Sequence, residues 1–281
     1  MLPQQRKNHL RRAFSFTVGS GNATPDHAEA PEDQVWWLTG VVHRIHCVST
    51  ADVDEDRVAS RAQDAVRILL IIAAAAVPLS RPPKNDPALV DAVAVLESQV
   101  RLQKLDFWVR NPDYFADELI NEYEQRGDAA FLHLASAIID SDEPEVRCYP
   151  MIRFLFGAYE PLDDALAVLR SAHLVVRRKR GSAGRVQQHD YFLTRAGRDI
   201  ADRILRDAPE FAYFVERTRA VASFAEGHRG SQLKERQYRQ EEYRLTVIGD
   251  RIASIAPRVR ARLRYHLDRL LRQSSRAASP R

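Results

Sequence analysis

The stretch "LVVRRKRGSAGRVQQHDYFLTRAG", Leu174 to Gly197, constrains the fold of this chain more than any other. Its ends, "HLVVRR" and "DYFLT", are β-prone, and the segment between them holds Gly181 and Gly184. Two such runs around a glycine-containing connection predict a β-hairpin. The residues on either side have helical spacing instead. Pro161 opens a run with Leu162, Ala165, Leu166, Leu169 and Ala172 on one face, and "TRAGRDIADRIL" resumes that spacing through Ile200 and Ile204. Val146 to Tyr159 reads as one more helix, burying Met151, Ile152, Leu155 and Phe156.

Helix, helix, strand, basic wing, strand, helix is the order of a winged helix-turn-helix. The expected fold is therefore mainly α. It comprises a helical N-terminal region, a winged helix-turn-helix with a small β-hairpin, and a long C-terminal helical extension. The boundaries expected are a disordered arm at 1–33, a helical domain at 34–145, the winged helix and the helix after it at 146–230, and the extension at 231–281.

Within the helical domain, residues 54–77 place Val58, Ala62, Ala65, Leu69 and Ile72 three and four apart. "PLSRPPKNDP" is a loop, since four prolines cannot sit inside a helix. Asp86 and Pro87 then suit the start of a helix carrying Leu89, Val93, Leu96 and Val100 toward Val109. Pro112 opens a further one with Phe115, Leu119 and Tyr123, and Phe131 to Ile139 forms another. Trp36 to Val48 is apolar and fits a short helix or a strand. In the extension, Leu245, Ile248, Ile252, Ile255, Val259, Leu263, Leu267 and Leu270 form one apolar stripe, with a kink expected at Pro257. That stripe packs on the body or pairs with a second copy.

Charge separates these regions. From Arg101 to Glu145 there are eleven acidic residues against four basic ones, from Arg170 to Arg206 ten basic against three acidic, and from Ala256 to Arg281 eight arginines against one aspartate. Arg177, Arg178, Lys179 and Arg180, with Arg185 on the return, are the candidate DNA-binding residues. Against a duplex they would meet phosphates, giving salt-sensitive binding that is largely independent of sequence. The helix before the hairpin carries Glu160, Asp163 and Asp164 in its first turn. Carboxylates there offset the helix dipole and suit few base edges. Asp163, Asp164 and Arg170 are thus candidate partner-binding residues, and DNA contact is expected through the wing and the tail.

"VRILLII" (Val66 to Ile72), "LQKLDFWVRNPDYFADELI" (Leu102 to Ile120), the winged helix and "LTRAG" (Leu193 to Gly197) resemble the small middle components of ABC-ATPase three-component systems. These include the accessory subunit of Lamassu-type bacterial defence. The resemblance spans roughly residues 58–225 and leaves out the N-terminal arm and the arginine-rich tail. It implies a non-catalytic subunit that binds an SMC-like ABC ATPase, with an effector as third component, and contacts double-stranded DNA.

Catalytic motifs are missing from the sequence. There is no phosphate-cradling G-x-x-x-x-G-K-[ST] loop and no G-x-S-x-G elbow. "HRIHC" (His43 to Cys47) gathers three potential zinc ligands without a fourth. Asp106 reads as an ion pair or cap, and Trp108, Tyr114 and Phe115 as core. Asp140, Asp142, Glu143 and Glu145 read as a solvated charge run. No cofactor or metal is expected. The apolar run Ile68 to Val77 is too short to span a bilayer, and two cysteines give no disulfide framework, so a cytoplasmic protein away from membranes is expected. The competing reading is a winged-helix transcriptional regulator of promoter DNA, dimeric through its C-terminal helix.

Overall fold

Alternation of small and branched residues in Ala92–Leu96 produces a strand in which Ala92, Ala94 and Leu96 are buried and the two valines half-buried. This strand belongs to a computed structural model that describes residues 61–141, 151–154, 157–158, 162–182 and 185–278. The expected arm at 1–33, the Trp36–Val48 segment and the "HRIHC" motif lie outside the described residues. Among the described residues the fold is mainly helical, with ten α-helices and one four-stranded antiparallel sheet.

In chain order the elements are α1 (Arg61–Ala75), β1 (Val77–Pro78), β2 (Ala92–Leu96), α2 (Gln99–Arg110), α3 (Pro112–Arg126) and α4 (Ala130–Ile139). There follow β3 (Arg153–Phe154), β4 (Gly157–Ala158), α5 (Asp163–Ser171), β5 (Val175–Ser182), β6 (Arg185–Thr194) and α6 (Arg195–Asp207). The last are α7 (Ala212–Phe224), α8 (Gly230–Arg239), α9 (Glu241–Leu245) and α10 (Ala256–Ala278). The four-stranded sheet has the order β1-β2-β6-β5, and β3 pairs with β4 in a separate ribbon.

The hairpin and both helices beside it occur where the sequence places them, but three expectations are corrected. The helix expected from Leu89 toward Val109 is a single 3₁₀ turn at Pro87–Leu89, then β2, then α2. Asp86 does cap, accepting from Ala88 N at 3.1 Å. However, the period-two burial of Ala92, Ala94 and Leu96 outcompetes the helical spacing of Leu89, Val93 and Leu96. Second, the described part of Val146–Tyr159 is the short ribbon β3–β4 instead of a helix. Met151 is buried as expected, while Ile152 is exposed. The backbone there is drawn to a distant segment: Ile252 N donates to Met151 O at 2.8 Å and Arg153 N to Asp250 O at 2.9 Å.

Third, the C-terminal extension is three helices, not one helix kinked at Pro257. Gly249, with φ of +95°, sits in the break after α9, a conformation that suits glycine. Pro257 lies in the first turn of α10, where a missing N–H costs nothing.

The chain divides into two compact units. One takes in residues up to Val95, Asp163–Arg177 and Tyr191–Glu226; the other takes in Leu96–Leu162, Arg178–Asp190 and Gly227–Arg281. The first is organised around α1, whose Ala65, Val66 and Ile68–Ile72 are all buried and which packs against α5, α6 and α7. "LTRAG" is a helix start within it. Thr194 Oγ1 accepts from Gly197 N at 3.0 Å, and a Cβ on Gly197 would fall 2.2 Å from Leu174 O, so only glycine fits. The second unit packs α2 against α8 and α10 against α3 and α4. Trp108, Tyr114 and Phe115 are fully buried in it, as core.

Candidate functional site

Arg177–Arg180 lie along strand β5, so successive side chains alternate between its two faces. Arg177 and Lys179 share one face, Arg178 and Arg180 the other. Arg177 and Arg180 are engaged by carboxylates. Arg177 donates to Asp163 Oδ1 at 2.9 Å, tying the hairpin to the first turn of α5. Arg180 donates to Asp190 Oδ2 at 2.8 Å and pairs with Glu97 at 2.9 Å. The hydrogen bond to Asp190 is the main cause that holds the Arg180 guanidinium above its ordinary pKa. Asp190 is buried and also accepts from Ser98 N at 3.2 Å and Gln188 Nε2 at 2.9 Å. Lys179 is exposed and Arg178 half-buried, while the Arg185 side chain lies outside those described. Asp164 and Arg170 are exposed on α5.

A second charged constellation, which the sequence reading does not single out, lies within the second unit. Helix α3 presents Asp113, Asp117, Asn121 and Glu124, and α10 answers in parallel register. Asp113 Oδ2 accepts from Ser254 Oγ at 2.8 Å and Ile255 N at 2.7 Å, capping the approach to α10. Asp117 Oδ1 takes Arg258 at 3.1 Å and Arg262 at 2.9 Å. Arg262 reaches Asn121 at 2.8 Å and Glu124 at 2.6 Å, and His266 Nε2 meets Glu124 at 2.9 Å. Beside this ladder Arg236 of α8 is bonded to buried Glu122 at 2.8 Å. Burial raises the pKa of Glu118, countered in part by the hydrogen bond from Gln240.

A polar cavity of about 480 Å³ opens onto this network, lined by Asp117, Glu118, Glu124, Arg236, Arg258 and Arg262 among others. Glu118 pairs with Arg236 at 3.7 Å, and the other five belong to the ion pairs just described, which bind α3 to α8 and α10. The signal was present in sequence as two rows with four-residue steps, Asp113/Asp117/Asn121 and Arg258/Arg262/His266.

Among the described residues no group of three or more His, Cys, Asp or Glu is placed to hold a metal ion. Of the acidic run near Pro144, Asp140 pairs with Arg260 at 3.2 Å, and Asp142, Glu143 and Glu145 lie outside the described residues. No helix among them is long and apolar enough to cross a membrane. No family model matches the chain, and comparison with curated proteins and with solved structures likewise finds no match.

Proposed function

We propose that this chain is a non-catalytic winged-helix accessory subunit of an SMC-like ABC-ATPase defence complex in the bacterial cytoplasm, bound to the ATPase and touching duplex DNA through the β5–β6 hairpin. One observation carries the reading. The hairpin is entered from α5, left through α6, and joined to the earlier strand β2 by its returning strand, in the sheet order β2-β6-β5. A winged helix has this arrangement, and here its wing carries four consecutive cations. The chain departs from a plain winged helix in carrying residues 97–162 between β2 and α5.

Of the wing cations, exposed Lys179 is the first candidate for the DNA contact, with Arg178 beside it and Arg185 on the return strand. The Arg177–Asp163 pair ties the acidic start of α5 to the wing; Asp164 and Arg170, exposed on the same helix, are assigned to a protein partner. The ATPase and the effector component come from the sequence resemblance. A regulator dimerised by the C-terminal stripe has less support, because Ile252, Ile255, Val259 and Leu263 are already buried.

Affinity purification of the tagged chain from its host tests the proposal. A large ABC-type ATPase recovered in fixed ratio is the expected result. Recovery of the chain alone, or with one promoter fragment, overturns it in favour of the regulator.

A further inference from the structure

Helix α10 divides its arginines between two faces. Val259, Leu263 and His266 face inward, and Arg258, Arg260 and Arg262 at their flanks reach Asp117, Asp140, Glu124 and Glu242. At 100° per residue, Arg264, Tyr265, Asp268, Leu271 and Arg272 fall on the opposite arc, and Arg269 falls at its edge beside Arg258 and Arg262. All six are exposed, Tyr265 to 58% and Leu271 to 67%. Among the described residues these three arginines and Asp268 take part in no ion pair or side-chain hydrogen bond. The helix thus satisfies its inner cations and presents the outer ones to solvent.

The chemistry of that face selects its partner. A protein interface needs an apolar centre depleted of charge. Here Tyr265 and Leu271 are separated around the arc, and Arg264, Asp268 and Arg272 fill the space between them. Arg264 and Arg272 are about 12 Å apart along the axis, a span of about three to four phosphates of one strand at 3.4 Å each. The phenolic hydroxyl of Tyr265 is a further phosphate donor.

We propose that the outer face of α10, through Arg264, Arg269, Arg272 and Tyr265, is a contact for the backbone of double-stranded DNA, separate from the β5–β6 hairpin. It holds whether or not the hairpin binds.

The test uses the full chain and a labelled 24-base-pair duplex of random sequence, followed by fluorescence anisotropy from 50 to 200 mM salt. Two variants are compared with the wild type: Arg264→Gln/Arg269→Gln/Arg272→Gln, and Arg178→Gln/Lys179→Gln in the hairpin. Circular dichroism and thermal melting establish that both fold. The α10 variant is expected to lower the slope of log K against log salt by about 3. The wild type then loses about 60-fold more affinity than the variant across that range. An unchanged slope in the α10 variant overturns the proposal. If the hairpin variant alone weakens binding, the hairpin reading survives without it; a wild type that fails to bind the duplex overturns both DNA contacts. Loss of binding to poly-glutamate with DNA affinity intact overturns it in favour of an acidic protein partner.

Discussion

The carboxylates of α3 and those around the hairpin both bind arginine, in opposite surroundings. The side chains of Asp117 and Glu122 are 5% and 3% exposed, and those of Asp163 and Glu97 are 72% and 60% exposed. Water competes freely for the second pair of carboxylates, and exposed pairs contribute about 0–1 kcal/mol. The first pair have lost their water and depend on their arginines. Removing one partner of a buried ion pair costs about 3–5 kcal/mol, because the other charge is left behind. The α3–α10 ladder therefore fixes the position of a helix, whereas the Arg177–Asp163 and Arg180–Glu97 pairs are exchangeable and suit a surface open to another anion, although buried Asp190 still holds Arg180.

Breaking the ladder should give the largest loss of stability. Asp117→Ala removes the shared acceptor of Arg258 and Arg262, which keep Glu242 and Glu124, and is expected to destabilise the chain by about 1.5–3 kcal/mol, read by urea denaturation. A loss below about 1 kcal/mol would put Asp117 in the same class as the hairpin carboxylates.

Lys104 of α2 sharpens the contrast from the other side. It is 1% exposed, and its Nζ has no hydrogen-bond partner among the described residues. Burial, with Lys234 adding repulsion, lowers its pKa from 10.5 to about 7. The folded chain therefore binds fewer protons than the unfolded one between about pH 7 and pH 10.5. This group makes stability rise with pH through that window and imposes its full, constant cost below it. Lys104→Met should be more stable at pH 6, with the difference from wild type shrinking by about 2–4 kcal/mol by pH 10. Urea midpoints at pH 6, 8 and 10 check this; a difference independent of pH would mean that Lys104 is charged in the fold or already compensated.

Local signals in the sequence located the hairpin, the start of α6, the proline-started α3 and the α5 face, because each depends on residues within one or two turns. The helix expected through Leu96 failed because Leu89, Val93 and Leu96 satisfy a helical period while Ala92, Ala94 and Leu96 satisfy a strand, and pairing with β1 decides between them. The α3–α10 ladder was hidden for a different reason. Its partners are more than a hundred residues apart, and a row of acids reads alone as a solvated face. The fate of Arg177 and Arg180 was equally invisible, since it depends on which carboxylates the fold brings beside a strand.

The smallest expected change in stability comes from Asp163→Asn. The amide keeps the size of the side chain and removes the charge that holds Arg177 at 2.9 Å. Both groups are partly or largely exposed, so unfolding should shift by no more than about 1 kcal/mol. The same substitution removes a negative charge beside the wing and one anionic partner of Arg177. If the hairpin touches DNA, affinity for a random duplex should rise and the salt slope should steepen by about 1, with the melting temperature nearly unchanged. Unchanged affinity and slope would mean that the Arg177 face of β5 does not reach the duplex. A large loss of stability would instead show that the exposed pair is structural, and the contrast with the ladder would then lie in geometry and not in exposure.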